Sequence, residues 1–161
     1  MELDGYDYRI LQELTQDGRL SWRDLADRIG LSLTPTLRRV RRLEETGFIM
    51  GYSANLDERR LAGAMIVFIS VTLERQVEDA LTVFETEVLK LPQVMSGFLM
   101  TGGADYLLRV VVPDLEHYQD LLGKLTRISG VAHIQSSFAL KAFINRPGPI
   151  FSQSKMKVAR K

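Results

Sequence analysis

The sequence contains no cysteine, which rules out disulfides, thiol nucleophiles and cysteine-bound zinc or iron–sulfur clusters. Histidine is almost as scarce: His117 and His133 are the only two, and neither sits with a Ser, Asp or Glu at nucleophile or metal spacing. No apolar run approaches the ~18 residues that a membrane helix needs. The first residues also lack the charged-then-apolar pattern of a signal peptide. These absences point to a cytoplasmic protein without catalytic residues, metal or cofactor. Lysine is missing from the whole stretch before Lys90, so arginine alone supplies the positive charge there, with ten arginines in the first sixty residues, at positions 9, 19, 23, 28, 38, 39, 41, 42, 59 and 60. With a formal net charge of only +1 over 161 residues, any nucleic-acid footprint has to be local. That length suits one ordinary domain or two small ones.

The arginine-bearing region has a definite local grammar. Asp4 with Asp7 three residues on forms an N-terminal cap, Ile10, Leu11 and Leu14 recur on one helical face, and Asp17-Gly18 closes the element. Ser21 with Asp24 repeats the capping pattern before Leu25, Ala26 and Ile29, and Gly30 supplies a left-handed terminus. Ser32 caps a third helix, in whose first turn Pro35 is tolerated because the amide it lacks has no helical partner there. Leu37, Val40 and Leu43 form its buried stripe, and Thr34, Thr36, Arg38, Arg39 and Arg42 are expected opposite them. Arg41 precedes Glu44 and Glu45 by three and four residues and is assigned to weak surface pairs. Arg38, Arg39 and Arg42 are expected to stand free, suited with the Thr hydroxyls to phosphates and base edges. Helix, Gly turn and basic helix make a helix-turn-helix at about residues 22–41, whose second helix enters the major groove of DNA. After Gly47, residues 48–56 read as a short wing strand or hairpin, and residues 57–63 as a polar join.

The remainder reads β-α-β-β-α-β. Strands are expected at 64–74, 94–101, 106–112 and 131–144. One helix carries Val77, Ala80, Leu81, Phe84, Val88 and Leu91 at helical period; another carries Leu115, Tyr118, Leu121, Leu122, Leu125 and Ile128. This order is the ferredoxin-like split β-α-β fold. The fold class is therefore α+β: an N-terminal winged helix-turn-helix over 3–63, then a ferredoxin-like βαββαβ domain over 64–145, then a mobile basic tail over 146–161. In the first strand Ile66 and Phe68 oppose Val67, Ile69 and Val71, so both sheet faces begin apolar. With both helices on one face, the other is an association surface, and a homodimer is expected to cover it. Residues 102–105 join two strands; they suit either a plain hairpin turn capped by Asp105 or a small-ligand loop.

Taken together, Leu3-Asp4, Asp7, Leu31-Ser32-Leu33-Thr34-Pro35, Arg38-Arg39-Val40-Arg41-Arg42-Leu43-Glu44 and Gly47-Phe48-Ile49, followed by Gly51-Tyr52, resemble the leucine-responsive/asparagine-operon (Lrp/AsnC, feast/famine) family of transcription regulators. Thr101-Gly102, Asp105-Tyr106-Leu107-Leu108, Val112-Pro113-Asp114, Gly130-Val131 and Ser136-Ser137-Phe138 extend the likeness to roughly residues 3–143. The resemblance implies a regulator that binds operator DNA and responds to an amino acid, built from dimers that assemble into octamers. Its implied effector site lies between dimers, from Met100, Thr101, Gly102, Gly103, Ala104 and Asp105 with Ser136 and Ser137 opposite. In that site Asp105 would face the ligand ammonium. Many relatives carry an acidic residue where this chain has Gly103, and the ending after Lys141 departs from the family pattern. Two other classes compete with this reading: a winged helix acting on RNA or a protein partner, and a small enzyme on the ferredoxin-like fold.

Overall fold

The computed structural model describes residues 2–157 and divides into two compact units, 1–55 with 144–161, and 56–143. In the first unit, helices α1 (Gly5–Gln16), α2 (Trp22–Ile29) and α3 (Leu33–Glu45) pack around Ile10, Leu25, Ile29, Val40 and Leu43, with Leu3, Leu14 and Ile49 at the margin. Each fully buried aliphatic side chain of this kind stabilises the unit by about 1.5–3 kcal/mol relative to exposure. The expected starts are where the caps place them. Asp4 accepts from the amides of Tyr6 and Asp7 while Asp7 accepts from the Asp4 amide, a reciprocal capping box. Ser21 Oγ accepts from the Asp24 amide, and Gly30 at φ 74° ends α2 in the left-handed region.

Two local expectations do not hold. Ser32 stands at the N-cap of α3 but its side chain makes no capping bond; instead its carbonyl accepts both the amide and the hydroxyl of Thr36. Residues 48–57 form no strand or hairpin. The segment has no second strand with which to share a ladder, and it is held by side chains and one turn bond. Ile49 donates its amide to the Leu43 carbonyl, while Tyr52 packs edge-on against Trp22 and donates its hydroxyl to Glu44 at 2.9 Å. Burial, then the Glu44 carboxylate, pushes the Tyr52 hydroxyl up to about 12.

Within the expected mobile tail, residues 146–157 make contacts with α1. Phe151 meets Tyr8 of α1 edge-to-face at 5.2 Å, and Arg9 Nε donates to the Met156 carbonyl at 3.0 Å. The last four residues of that expected tail lie outside the described residues. Apolar and aromatic anchors inside a polar, basic composition bring the segment down onto α1.

The second unit contains α4 (Glu58–Leu61), β1 (Met65–Leu73), α5 (Glu78–Val88), β2 (Val94–Leu99), β3 (Tyr106–Val112), α6 (Leu115–Leu125) and β4 (Val131–Phe138). Its antiparallel sheet has the order β2-β3-β1-β4, the ferredoxin-like arrangement. Val67, Ile69, Val71 and Leu73 alternate inward against Phe84 and Val88 of α5 and Tyr118, Leu121 and Leu125 of α6. β4 stops at Phe138 rather than continuing to Ile144. Its partner β1 begins at Met65, so after the Ala139 amide bonds the Ile66 carbonyl nothing remains to pair with. On the side away from the helices, Phe68 stands opposite Arg109 and Ser137, and Phe98 stands opposite Leu107. Phe68 and Phe98 are exposed, and Arg109 is paired with Glu58 of α4.

Gly63 joins α4 to β1 at φ +134°, where a Cβ would lie 2.3 Å from the Pro113 nitrogen. The atoms it would meet are backbone of Val112 and Pro113, which leaves no soft neighbour to yield. Gly63→Ala is expected to lower stability by about 1–3 kcal/mol, read as a reduced urea midpoint with unchanged slope. An unchanged midpoint would show that this junction can relax.

Candidate DNA-reading helix and ligand loop

The exposed face of α3 is not the one that sequence spacing suggests. Thr36 is fully buried, its hydroxyl bonded to the Ser32 carbonyl at 3.0 Å, so it packs the helix and presents nothing to solvent. Arg39 and Arg42 turn toward α1. Arg39 Nη1 lies 2.7 Å from Asp4 Oδ2 and 2.8 Å from Asp7 Oδ1, and Arg42 Nη2 lies 2.6 Å from Asp7 Oδ2. The expectation of free guanidinium groups therefore fails for these two. Their partners lie more than thirty residues away in sequence, on another helix.

Asp7 has no exposed surface, and burying a carboxylate is costly unless it is paired and hydrogen-bonded. Here two arginines and the Asp4 amide do that. Burial works against ionisation of Asp4, but the Asp7 amide and the Arg39 guanidinium overcome it and hold the carboxyl below its ordinary value. Burial likewise disfavours charge on Arg39, and the Asp4 and Asp7 carboxylates more than compensate, raising its pKa. The Tyr6 ring lies under the Arg39 guanidinium at 5.3 Å. The cluster locks the rotation of α3 about its own axis.

α3 presents Thr34, Arg38 and Arg41 to solvent along one face, with Ser32 and Leu33 at its start, Pro35 half-buried beside them, and Glu44 and Glu45 exposed at its end. Among the described residues neither Arg38 nor Arg41 has a carboxylate within 4.0 Å. Arg41, read from spacing as a surface pair with Glu44 and Glu45, is with Arg38 one of the two arginines of α3 that have no carboxylate partner among the described residues. Sequence spacing assigned the arginines to the wrong faces because Asp7 is invisible to it.

In the second unit the loop after β2 is closed by a bond from the Met100 amide to the Asp105 carbonyl at 2.7 Å. Met100, Thr101, Gly102 and Gly103 are exposed and Ala104 is half-buried. Gly102 has φ +123°, and a Cβ built on Gly103 meets nothing within 4 Å, so that position has room for a side chain. Asp105 is not the free carboxylate that ammonium recognition would use. It is 5% exposed, and its two oxygens accept from the Leu73 amide at 2.7 Å and from Gln76 Nε2 at 2.6 Å. Its amide donates to the Val71 carbonyl. Asp105 therefore ties the loop to the end of β1.

Ser136 and Ser137 do not face the same way. Adjacent strand residues alternate: Ser136 pairs in register with buried Ile69 and accepts the Tyr118 hydroxyl at 2.8 Å, whereas Ser137 is exposed opposite Phe68. Strand β1 separates β4 from the β2–β3 hairpin, and along β1 the serines pair with Ile69 and Phe68 while the loop is tied at Leu73. One chain alone does not bring the loop and the serines together.

A cleft of about 350 Å³ between α5 and β2, lined by Phe84, Val88, Leu91, Met95 and Leu99, has no counterpart in the sequence reading. At its floor the Tyr106 hydroxyl donates to Glu85 at 2.7 Å. Burial, reinforced by Glu85 and Asp105, raises the Tyr106 pKa well above its usual range. Its helical residues have the same spacing as core, so periodicity could not mark them.

Residues 3–50 match the family model for winged helix-turn-helix DNA-binding, and residues 66–149 match that of the Lrp/AsnC ligand binding domain. The chain is 62% identical over 149 residues to the Bkd operon transcriptional regulator of Pseudomonas aeruginosa, covering 92% of this chain and 97% of that one. It is 47% identical over 131 residues to the leucine-responsive regulatory protein of Escherichia coli, covering 81% and 80%. A Neisseria meningitidis transcriptional regulator solved in complex with L-Met superposes with a TM-score of 0.85 at 37% identity, over 90% of this chain and 94% of that one. An AsnC family regulator from Agrobacterium tumefaciens gives 0.87 at 32% identity, over 92% and 97%. With its two halves matching in the same order as these relatives, the chain belongs to the Lrp/AsnC family of transcriptional regulators, with a helix-turn-helix for DNA and a ligand-binding domain.

Proposed function

We propose that this protein is a cytoplasmic, sequence-specific regulator of transcription that reads double-stranded operator DNA through α3 and whose assembly or DNA affinity responds to an amino acid. The observation that carries the DNA half is the pair of unpaired arginines, Arg38 and Arg41, on a helix whose rotation is set by a buried carboxylate. Ser32 and Thr34 at the start of α3 supply hydroxyls to flanking phosphates, and Pro35 shapes that turn. Arg39 and Arg42 act by holding α3.

The amino-acid half rests on relatives: one is named leucine-responsive, and another was solved with L-Met. In this chain the exposed backbone of Thr101–Gly103, flanked by Met100 and with Ala104 behind it, offers amides to a ligand carboxylate, while Asp105 keeps the loop in shape. Ser137 of a neighbouring copy completes that surface better than Ser136, which is committed to Tyr118. Dimers form through the Phe68 face of the sheet, and effector-linked contacts between dimers build the octamer. No specific observation favours action on RNA, action on a protein partner, or catalysis.

A ligand that binds only the folded protein raises its stability. A thermal-shift screen of the protein amino acids should single out one or a few by a raised Tm. The same compounds should change DNA affinity or sedimentation, because a ligand moves an equilibrium only through different affinities for its states. Twenty flat melting curves would remove the amino-acid half of the proposal.

A further inference from the structure

The part of the chain that forms the helix-turn-helix is not basic. Residues 1–55 hold eight arginines, no lysine and nine carboxylates, a formal charge of −1. Arg39 and Arg42 are further withdrawn by Asp4 and Asp7. Duplex DNA is a dense polyanion whose affinity for proteins rests largely on cations that replace condensed counterions. A unit of net negative charge is poorly equipped for that.

The segment that completes the unit reverses the balance. Residues 144–157 contain Arg146, Lys155 and Lys157 and no acidic residue, and Arg160 and Lys161 follow in the sequence. These residues cluster with 1–55 in one compact unit, although the whole of the second unit lies between them in sequence. With the described part of the segment included, the charge becomes +2. The docking is specific. Gly148 packs on Thr15, where a Cβ would come within 3.0 Å of the methyl group; Phe151 meets Tyr8; and the Lys155 ammonium lies 5.4 Å from the Tyr8 ring. The Met156 carbonyl accepts from Arg9, whose guanidinium lies 5.9 Å from the Tyr6 ring, and Tyr6 in turn lies under Arg39 of α3. The segment thus ends beside the α1 residues that position the recognition helix, with Lys155 and Lys157 exposed.

We infer that residues 144–157 form a basic arm, anchored on α1 by Phe151 and Met156, that contacts the DNA phosphates beside the site read by α3. The arm carries affinity rather than sequence preference, since a lysine at a phosphate sees the same group on every sequence. It rests on the DNA-binding reading of α3 and adds a second contact surface to it.

The test uses the full chain and a mixed-sequence duplex of about 40 base pairs, titrated at several salt concentrations. Each phosphate neutralised contributes about 0.9 to the slope of log affinity against log salt. The double variant K155Q/K157Q should flatten that slope by about 1–2 per protomer and bind roughly tenfold more weakly near 100 mM salt. K155R/K157R should restore both. Phe151→Ala keeps every charge but unseats the arm, so it should weaken binding while leaving most of the slope. If K155Q/K157Q keeps the parent's slope while Arg38→Ala loses affinity, the arm is overturned and the reading of α3 stands. If Phe151→Ala binds as the parent does, anchoring on α1 is overturned. A parent protein that fails to bind any duplex would overturn both.

Discussion

Replacing Arg38 and Arg41 together with alanine is expected to weaken operator binding by about 2–4 kcal/mol while leaving the melting temperature within about a degree or two of the parent. Both side chains are exposed, and among the described residues neither has a carboxylate partner, so their removal costs the fold little. A base-reading arginine contributes about 1–3 kcal/mol of discrimination, and one on phosphate contributes to the salt slope. The double variant R39M/R42M should behave in the opposite way. It strips Asp7 of both its cationic partners and leaves a fully buried carboxylate uncompensated. Breaking a buried ion pair from one side costs about 3–5 kcal/mol, so thermal unfolding should shift by many degrees. Operator titrations across salt and thermal melts on the four single and two double variants separate the roles. If R39M/R42M flattened the salt slope at unchanged stability, those arginines would be on the DNA and the assignment of faces would be wrong.

Phe68→Glu is expected to convert the protein to monomers at micromolar concentration and to weaken operator binding by about 100-fold. Phe68 is 38% exposed in a single chain, in the middle of β1 on the side of the sheet that α5 and α6 leave bare. A second copy laid on that face would bury the ring, and a glutamate there would have to be desolvated opposite its symmetry mate. Arg109 lies beside it in register but is already paired with Glu58. Loss of tight binding follows from linkage: two recognition helices in one particle raise each other's effective concentration at a two-part site by about 10²–10⁴. Sedimentation equilibrium on parent and variant decides it. A Phe68→Glu protein that remains dimeric would move the subunit contact to another surface. Phe98→Glu, on the same face but on the outer strand β2, then locates the edge of the contact.

Local chemistry was legible where the bonds themselves are local. The reciprocal cap of Asp4 and Asp7, the Ser21 cap and the left-handed Gly30 involve partners within four residues, and the structure has them. The alternation of Val67, Ile69 and Val71 against Phe68 and the run 106–112 needed only the two-residue period of a strand. From these the order of elements followed, and the family resemblance came from particular residue motifs in both halves. Where a side chain's fate depends on a partner far along the chain, spacing was silent or misleading. Helical period placed Arg38, Arg39, Arg41 and Arg42 on one basic helix, but which two face α1 is set by Asp7, 32 and 35 residues away. Asp105 looked like a ligand carboxylate until the Leu73 amide and Gln76 occupied it. The polar basic composition of residues 146–157 suggested mobility, and two aromatic rings and an arginine on α1 hold the segment instead. Sequence by itself therefore determined the elements and their order, because caps and periodicities are satisfied within a turn or a strand. Only the tertiary structure decided which charges are free, because burial and pairing depend on what the fold brings within hydrogen-bond reach.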